Sequence, residues 1–249
     1  MRYAVISDIH SNLEAFQAVL EHIKKRNIKE IICLGDVIGY GPQPVECLEL
    51  ALKHCNVILQ GNHDVAVIDK PVLFNSIAKE AILWTRHELE TTTNPKKQEF
   101  WDALKNFPTT YSLNSISFVH GSPRDPSMEY IIPSEIPFMY EKYEEIFLSF
   151  EKILFVGHTH IPCVITQSGV VSYLQDIEYK YFYNNEKIIV NVGSVGQPRD
   201  HDNRACYVEV IDDFIFFHRV IYDCEVTHQK IVNIPELNNI LGERLLLGA

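Results

Sequence analysis

The sequence has no Cys-x-x-Cys pair, no long apolar run and no surplus of positive charge. Its six cysteines, at 33, 47, 55, 163, 206 and 224, are scattered through 249 residues. A chain of this size buries roughly 70–75% of its unfolded surface, so no disulfide framework is needed to hold it. The cysteines read as reduced, mostly core residues of a cytosolic protein. At the N-terminus only Tyr3–Ile6 are apolar before Ser7 and Asp8 intervene, which is too short for a signal peptide. No window approaches the ~18 apolar residues of a membrane span. Lys plus Arg number 22 against 33 Asp plus Glu, giving a net charge of −11. A general affinity for nucleic acid or a membrane surface is therefore not expected. Repeats, low-complexity segments and linkers are missing too, so residues 1–249 are expected to form a single cytoplasmic domain.

What is present is an alternation of short apolar runs and amphipathic stretches. Tyr3–Ile6 predicts a buried strand. Asn12 can cap a helix that carries Leu13, Phe16, Val19, Leu20 and Ile23 on one face. Ile31–Leu34, Pro44–His54 and Val57–Leu59 read as strand, helix and strand, which makes a βαβαβ series with parallel strands. Residues 65–115 break that rhythm and are expected to be a helical insertion, with one helix over Ser76–Leu89. A second begins with Asn94 as N-cap and Pro95 at N1, and runs to about Asn106. Strands are predicted at Ile116–Val119 and Ile153–Val156, with a helix at Phe138–Phe150 between them. Further strands fall in Val164–Tyr173, Glu178–Tyr183 and Ile188–Val192, followed by a hairpin over Tyr207–Ile221 and a closing helix over Pro235–Leu247.

The chemistry sits where the apolar runs stop. Asp8 and His10 follow the first run, Gly35-Asp36 the second, and Gly61-Asn62-His63-Asp64 the third. His120-Gly121, Gly157-His158-Thr159-His160 and Gly193-Ser194 follow three more. In α/β sheets ligands bind outside the carboxyl ends of the strands, so these residues can converge although far apart in sequence. Asp, His and Asn without Cys suit divalent Mn, Fe, Co, Ni or Zn. If the segments are extended, Asp8 and His10 point the same way, as do His158 and His160. Seven ligands are too many for one tetrahedral ion but suit two ions sharing a carboxylate. The adjacent glycines 35, 61, 121 and 157 let the backbone turn and approach closely.

The series Asp8-x-His10, Gly35-Asp36, Gly61-Asn62-His63-Asp64, His120 and Gly157-His158-x-His160 resembles the calcineurin-like metallophosphoesterase superfamily. Three stretches resemble its small prokaryotic phosphodiesterase-type branch: Ser7–Asn12, Gly35–Pro42 and Gly193–Asp200. The resemblance implies an α/β sandwich of two mixed β-sheets flanked by helices. It implies two divalent metal ions, with manganese the leading candidate. Asp8, His10 and His160 would hold one, Asn62, His120 and His158 the other, and Asp36 would bridge. His63 would stand beside the substrate and protonate the leaving group or stabilise the transition state, with Asp64 orienting it. A hydroxide bridging the metals would attack the phosphorus of a small phosphoester. Where the protein-phosphatase branch carries Asp-Arg-Gly, this sequence has Gly39-Tyr40-Gly41 and so lacks that phosphate-clamping arginine. This favours phosphodiesters over a phosphomonoesterase or protein-phosphatase activity. The rival from another class is a non-catalytic scaffold that binds a partner protein. Such a relative should lose ligands or the histidine after Asn62, and all are present here.

Weaker signals remain. Arg199 lies in a Gly- and Pro-bearing loop and either binds phosphate or pairs with Asp200 or Asp202. His201 reads as exposed and Asn75 as a helix cap. Phe214, Phe216, Phe217 and Tyr222 read as sheet packing.

Overall fold

The computed structural model describes residues 2–69, 71, 72 and 74–249; Met1, Lys70 and Leu73, the last two within the expected insertion, lie outside the described residues. In chain order the first elements are β1 (Arg2–Ile6), α1 (Leu13–Lys25), β2 (Ile31–Cys33), α2 (Pro44–His54), β3 (Val57–Ile58) and α3 (Asn62–Ile68). Next come α4 (Ser76–Thr91), α5 (Lys97–Asn106), β4 (Thr110–Leu113), β5 (Ile116–Val119), a 3-10 turn (Pro133–Glu135), α6 (Tyr140–Leu148) and β6 (Ile153–Val156). The last third holds β7 (Cys163–Thr166), β8 (Val171–Tyr173), β9 (Lys180–Phe182), β10 (Ile188–Asn191), β11 (Ala205–Ile211), β12 (Phe214–Val220), α7 (Cys224–Val232) and α8 (Ile240–Leu247).

The strands form two six-stranded sheets, ordered β3-β2-β1-β11-β12-β9 and β4-β5-β6-β10-β7-β8. Both are mixed. β1 runs parallel to β2, and β2 to β3, while β11 returns antiparallel on β1. In the second sheet β5, β6 and β10 are parallel and β4 and β7 antiparallel to their neighbours. This is the sandwich of two mixed sheets that the sequence implied.

Strands with apolar residues on both faces must be covered on both faces. In β1, Tyr3 and Val5 join Leu34, Phe118, Phe155 and Val190 in the layer between the sheets. Phe118 and Phe155 stack with centroids 5.3 Å apart, and Tyr3 meets both edge-on. Ala4 and Ile6 point the other way, against Phe16, Val19 and Ile23 of α1 and Leu48 and Ala51 of α2. On the far side, Leu154, Val156 and Ile189 pack under Tyr143, Ile146 and Phe147 of α6. Each such buried Val, Leu, Ile or Phe contributes ~1.5–3 kcal/mol. Among the described residues no helix is long and apolar enough to cross a membrane.

Several boundaries differ from the sequence reading. Residues 62–64, placed in the sequence only as the end of the third apolar run, form the first turn of α3. The insertion is not wholly helical, because Thr110–Leu113 forms β4 at the edge of the second sheet. α5 starts at Lys97; Asn94 accepts the Lys96 N–H at 2.9 Å in a turn instead of capping a helix through Pro95. Val164–Tyr173 divides into the β7–β8 hairpin. The closing helix begins at Ile240, and α7, capped by Asp223, was not anticipated. Asn75 does cap α4, accepting the Ala78 N–H at 2.9 Å. α7 and α8 fold back over α4, where Ile231, Leu241 and Leu245 meet Ala81 and Trp84 with Tyr40 packed against them.

Candidate metal centre

The carboxyl ends of β1, β2, β3, β5, β6 and β10 open toward one another across the two sheets, and backbone bonds lace their loops together. Asp8, His10 and Ser11 donate N–H to the carbonyls of Gly35, Asp36 and Val37 at 2.9–3.0 Å. Ser194 Oγ donates to the Asp8 carbonyl at 2.8 Å, tying the β10 loop to the β1 loop. The backbone here is not extended. Asp8, His10, Asp36, His158 and His160 all have positive φ, between 48° and 65°. Left-handed backbone at a non-glycine residue costs on the order of 1–3 kcal/mol, held in place by its surroundings. The i, i+2 argument therefore does not hold: His158 and His160 turn to different neighbours.

Seven donor heads collect in two overlapping groups. In the first, His160 Nε2 lies 3.1 Å from Asp8 Oδ1 and 3.2 Å from His10 Nε2. In the second, His120 Nε2 lies 3.1 Å from both Asn62 Oδ1 and His158 Nδ1. Asp36 stands between the groups, its Oδ2 3.4 Å from His120 Nε2 and 3.6 Å from His10 Nε2. Ligand atoms of Asp8, His10 and His160, of Asp36, His120 and His158, and of His10, Asp36 and His63 lie within 4.8 Å of one another in each set. All of these side chains are buried.

The donor chemistry fits cations. His160 Nδ1 is 2.6 Å from the Gln197 carbonyl, so it carries the proton and leaves a lone pair on Nε2. His158 Nε2 faces the Met128 carbonyl at 3.1 Å, which leaves its Nδ1 lone pair on His120. Asp8 Oδ1 is buried without a hydrogen-bond partner. Lone pairs so close together repel unless a positive charge lies among them. Burial lowers the pKa of His10 and His160 and takes His158 to about 3, against the opposing pull of Asp8 and Asp36. Burial opposes ionisation of Asp8 and Asp36, but the histidines around them hold both below the usual carboxylate range. Burial also opposes protonation of His120, yet Asp36 raises it to about 9.

His63 is buried beside this group, its ring centroid 4.8 Å from His10 and 4.3 Å from Tyr40, and its Nδ1 has no partner. Burial takes it down to about 4. A Cβ on Gly39, whose φ is 98°, would strike His63 Nδ1, so the ring's seat requires glycine there. Asp64 makes no hydrogen bond to the His63 side chain. Its Oδ2 accepts the N–H groups of Asp36 and Gly61 at 2.8 and 3.0 Å, fixing the β2 and β3 loops to the start of α3. Burial and the Asp36 charge push Asp64 up to about 7. Arg199 makes no pair with Asp200 or Asp202, which turn to Arg219 and Arg204. His201 is exposed. Tyr130, stacked on His158 at 3.7 Å, carried no sequence signal, and Tyr40, 4.8 Å from His10, was read only as a missing arginine.

A profile of the calcineurin-like phosphoesterase superfamily domain matches residues 1–213. An uncharacterised protein of Methanocaldococcus jannaschii is 40% identical over 256 residues, covering 98% of this chain and 97% of the relative. The crystal structure of a metallophosphoesterase from Sphaerobacter thermophilus shares 35% identity with a TM-score of 0.84, over 100% of this chain and 99% of that one. A hypothetical protein from Pyrococcus horikoshii OT3, at 19% identity and TM-score 0.77, covers 100% and 98% and shares the fold. The chain belongs to the calcineurin-like phosphoesterase superfamily.

Proposed function

We propose that the protein is a binuclear metal-dependent hydrolase of small phosphodiesters. The observation that carries this is the gathering of seven buried donor heads around Asp36, with Asp8, His10 and His160 to one side and Asn62, His120 and His158 to the other. Asp8, His10 and His160 would hold one divalent cation, and Asn62, His120 and His158 the other, with Asp36 serving both. Bound there, two such ions supply Lewis acidity toward a phosphoryl oxygen and a water of lowered pKa.

The chain's own residues do the rest. The Gln197 and Met128 carbonyls hold the ring orientations of His160 and His158. Asp64 locks the Asp36 and Gly61 amides and with them the two strand-end loops. His63 is buried against His10 and Tyr40, its Nδ1 without a partner. An anionic phosphoryl group beside it favours its protonated form, which a donor to the leaving oxygen needs. Tyr40 is a neutral phenol, since burial raises its pKa. It lies beside His10 in the segment where the arginine-bearing motif would stand. A monoester carries more charge than a diester and asks for more cationic clamping than Arg199, 6.0 Å from the Tyr40 ring centroid, supplies alone.

The test is a panel of bis(4-nitrophenyl) phosphate, 4-nitrophenyl phosphate and cyclic nucleotides on metal-stripped protein with Mn, Fe, Co, Ni or Zn added back. The aryl diester should be hydrolysed faster than the monoester. A clear monoester preference, or activity on phosphoproteins, would overturn the diester assignment.

A further inference from the structure

The loop between β5 and the 3-10 turn, residues 120–132, folds tightly on itself and is braced on α6. The Gly121 N–H donates to the Pro126 carbonyl at 2.6 Å, and the Ser122 N–H to the Asp125 carbonyl at 3.2 Å. The chain passes so close to itself that a Cβ on Gly121 would strike the Glu129 carbonyl oxygen. Arg124 reaches Glu145 of α6 at 2.7 Å. Lys142 Nζ donates to the Tyr130 carbonyl at 2.8 Å, and the Tyr143 hydroxyl to the Ile132 carbonyl at 2.6 Å. Ile131, between those two anchors, is buried with Tyr143 and Ile146. With its main chain fixed in this way, Tyr130 has little freedom to leave the place where its ring lies.

Two groups of this loop converge on one candidate ligand. The Met128 carbonyl faces His158 Nε2 at 3.1 Å, and the Tyr130 ring lies on the same imidazole, with centroids 3.7 Å apart and planes 19° from parallel. The two contacts constrain different motions. A hydrogen bond at Nε2 sets the direction of the ring within its plane, and a stacked ring sets the tilt of that plane. Held both ways, the ring keeps its Nδ1 3.1 Å from His120 Nε2. Among the described residues no other candidate-ligand histidine carries a stacked ring. His10, His120 and His160 meet their aromatic neighbours at tilts of 34° or more. Tyr130 is 42% exposed, so burial in the core does not account for its place.

We propose that Tyr130 is a positioning residue of the second cation site, whose stack on His158 holds that ring toward Asn62, His120 and Asp36. The inference rests on the binuclear reading above and deepens it. Tyr130 acts through His158, so a flat ring at position 130 is what the site requires and the hydroxyl is dispensable. The effect is confined to one site. His160, in the other set, takes its orientation from the Gln197 carbonyl, which lies on a different loop.

Two measurements test this. In the first, Mn is titrated by calorimetry into the full chain stripped of metal and dialysed free of chelator. The wild type should bind two ions per chain. Tyr130→Ala should bind one ion as the wild type does and the other about tenfold more weakly. Tyr130→Phe keeps the stacked ring and should bind both as the wild type does. Ser127→Ala removes the loop's bond to the Gln60 carbonyl, leaves the stack alone, and should change neither affinity. Circular dichroism establishes that each variant is folded. In the second, the rate on bis(4-nitrophenyl) phosphate is followed against Mn concentration. Tyr130→Ala should need about tenfold more Mn for its half-maximal rate, then approach the wild-type kcat with KM unchanged. A generally loosened fold would not be rescued by metal in this way. Equal affinities in wild type and Tyr130→Ala overturn the positioning role, as does equal weakening of both ions or a Tyr130→Phe variant as weak as the alanine. A wild type that binds fewer than two ions overturns the binuclear reading and this inference with it. Two ions bound by the wild type without hydrolysis of the diester count against the phosphodiester assignment alone, and the affinities still decide the role of Tyr130.

Discussion

Single residues divide the work at the centre in a way that mutation can separate. His63 follows the candidate ligand Asn62 on the first turn of α3, so its ring leaves the helix in another direction and packs on Tyr40 and Phe74. His158 places its Nδ1 among the donor heads. His63→Ala should therefore lower kcat by ~10²–10⁴-fold with both metals retained. The loss should be smaller for a substrate with a good leaving group, because a stable anion needs no proton. His158→Ala should lose a metal and fail on good and poor leaving groups alike. Metal analysis with rates on both substrate types distinguishes them. Loss of a metal from His63→Ala, or equal slowing of both substrates, removes the proton-donor role. Gly157 shows the tightness of the frame: a Cβ there would strike Ser7 Oγ and Asp8 Oδ2. Gly157→Ala should cost ~1–3 kcal/mol in chemical denaturation and weaken metal binding by displacing Asp8. Unchanged stability and metal content would show that the β1 and β6 loops separate easily.

Elements carry charge as well as side chains. β11 presents Glu209 inward under α1, fully buried, with Oε1 accepting from Arg2 at 2.8 Å and Oε2 from Arg26 at 2.6 Å. His218 of β12 lies 2.8 Å from the same Oε2. Burial pushes the Glu209 pKa up, but bonds from His218, Arg2 and Arg26 outweigh it and hold the carboxyl below its usual range. A carboxylate depressed in the fold stabilises above its unfolded pKa of about 4.3, and that contribution fades as pH falls through the folded value. Glu209→Gln should cost ~2 kcal/mol near pH 7, discounted because both arginines are partly exposed. The gap from wild type should close on acidification below about pH 4. A gap constant from pH 7 to pH 3 would mean that the ion pairs contribute nothing. The elements themselves were readable to different degrees. β1, β2, β6 and α1 announce themselves through apolar runs or a 3.6-residue stripe and a capping asparagine. β4 was missed because Thr110–Leu113 alternates between exposed and half-buried positions with no apolar run. α3 was missed because seven residues give one helical period too little room to show, and the ligand motif suggested a loop. The candidate ligands were legible because each follows an apolar run. Tyr130 was not, because a loop tyrosine acquires meaning only when the fold sets it on His158.

On the scale of the molecule, the centre draws on both sheets, from Asp8 near the N-terminus to His160 beyond the middle of the chain. No local segment of the unfolded chain offers more than part of either donor set, so cations held there would bind the native state far better than the unfolded one. The protein as a whole carries a net charge of −11. Its own field therefore helps to draw divalent cations toward a cleft where Asp8 and Asp36 are ionised, before any anionic substrate arrives. Ligand present at 100 times its Kd adds about 2.7 kcal/mol per site to stability. For a domain of this size 1 kcal/mol moves Tm by about 2–4 °C. Two sites filled to that level should raise Tm by about 10–20 °C over the metal-stripped protein. His158→Ala, lacking one ligand of one set, should keep roughly half of that rise. The measurement is differential scanning calorimetry at fixed pH with Mn added and then chelated. A Tm indifferent to metal would mean that the seven ligands do not hold cations. A full rise in His158→Ala would take His158 out of the second set and leave Asn62, His120 and Asp36 to hold that ion alone.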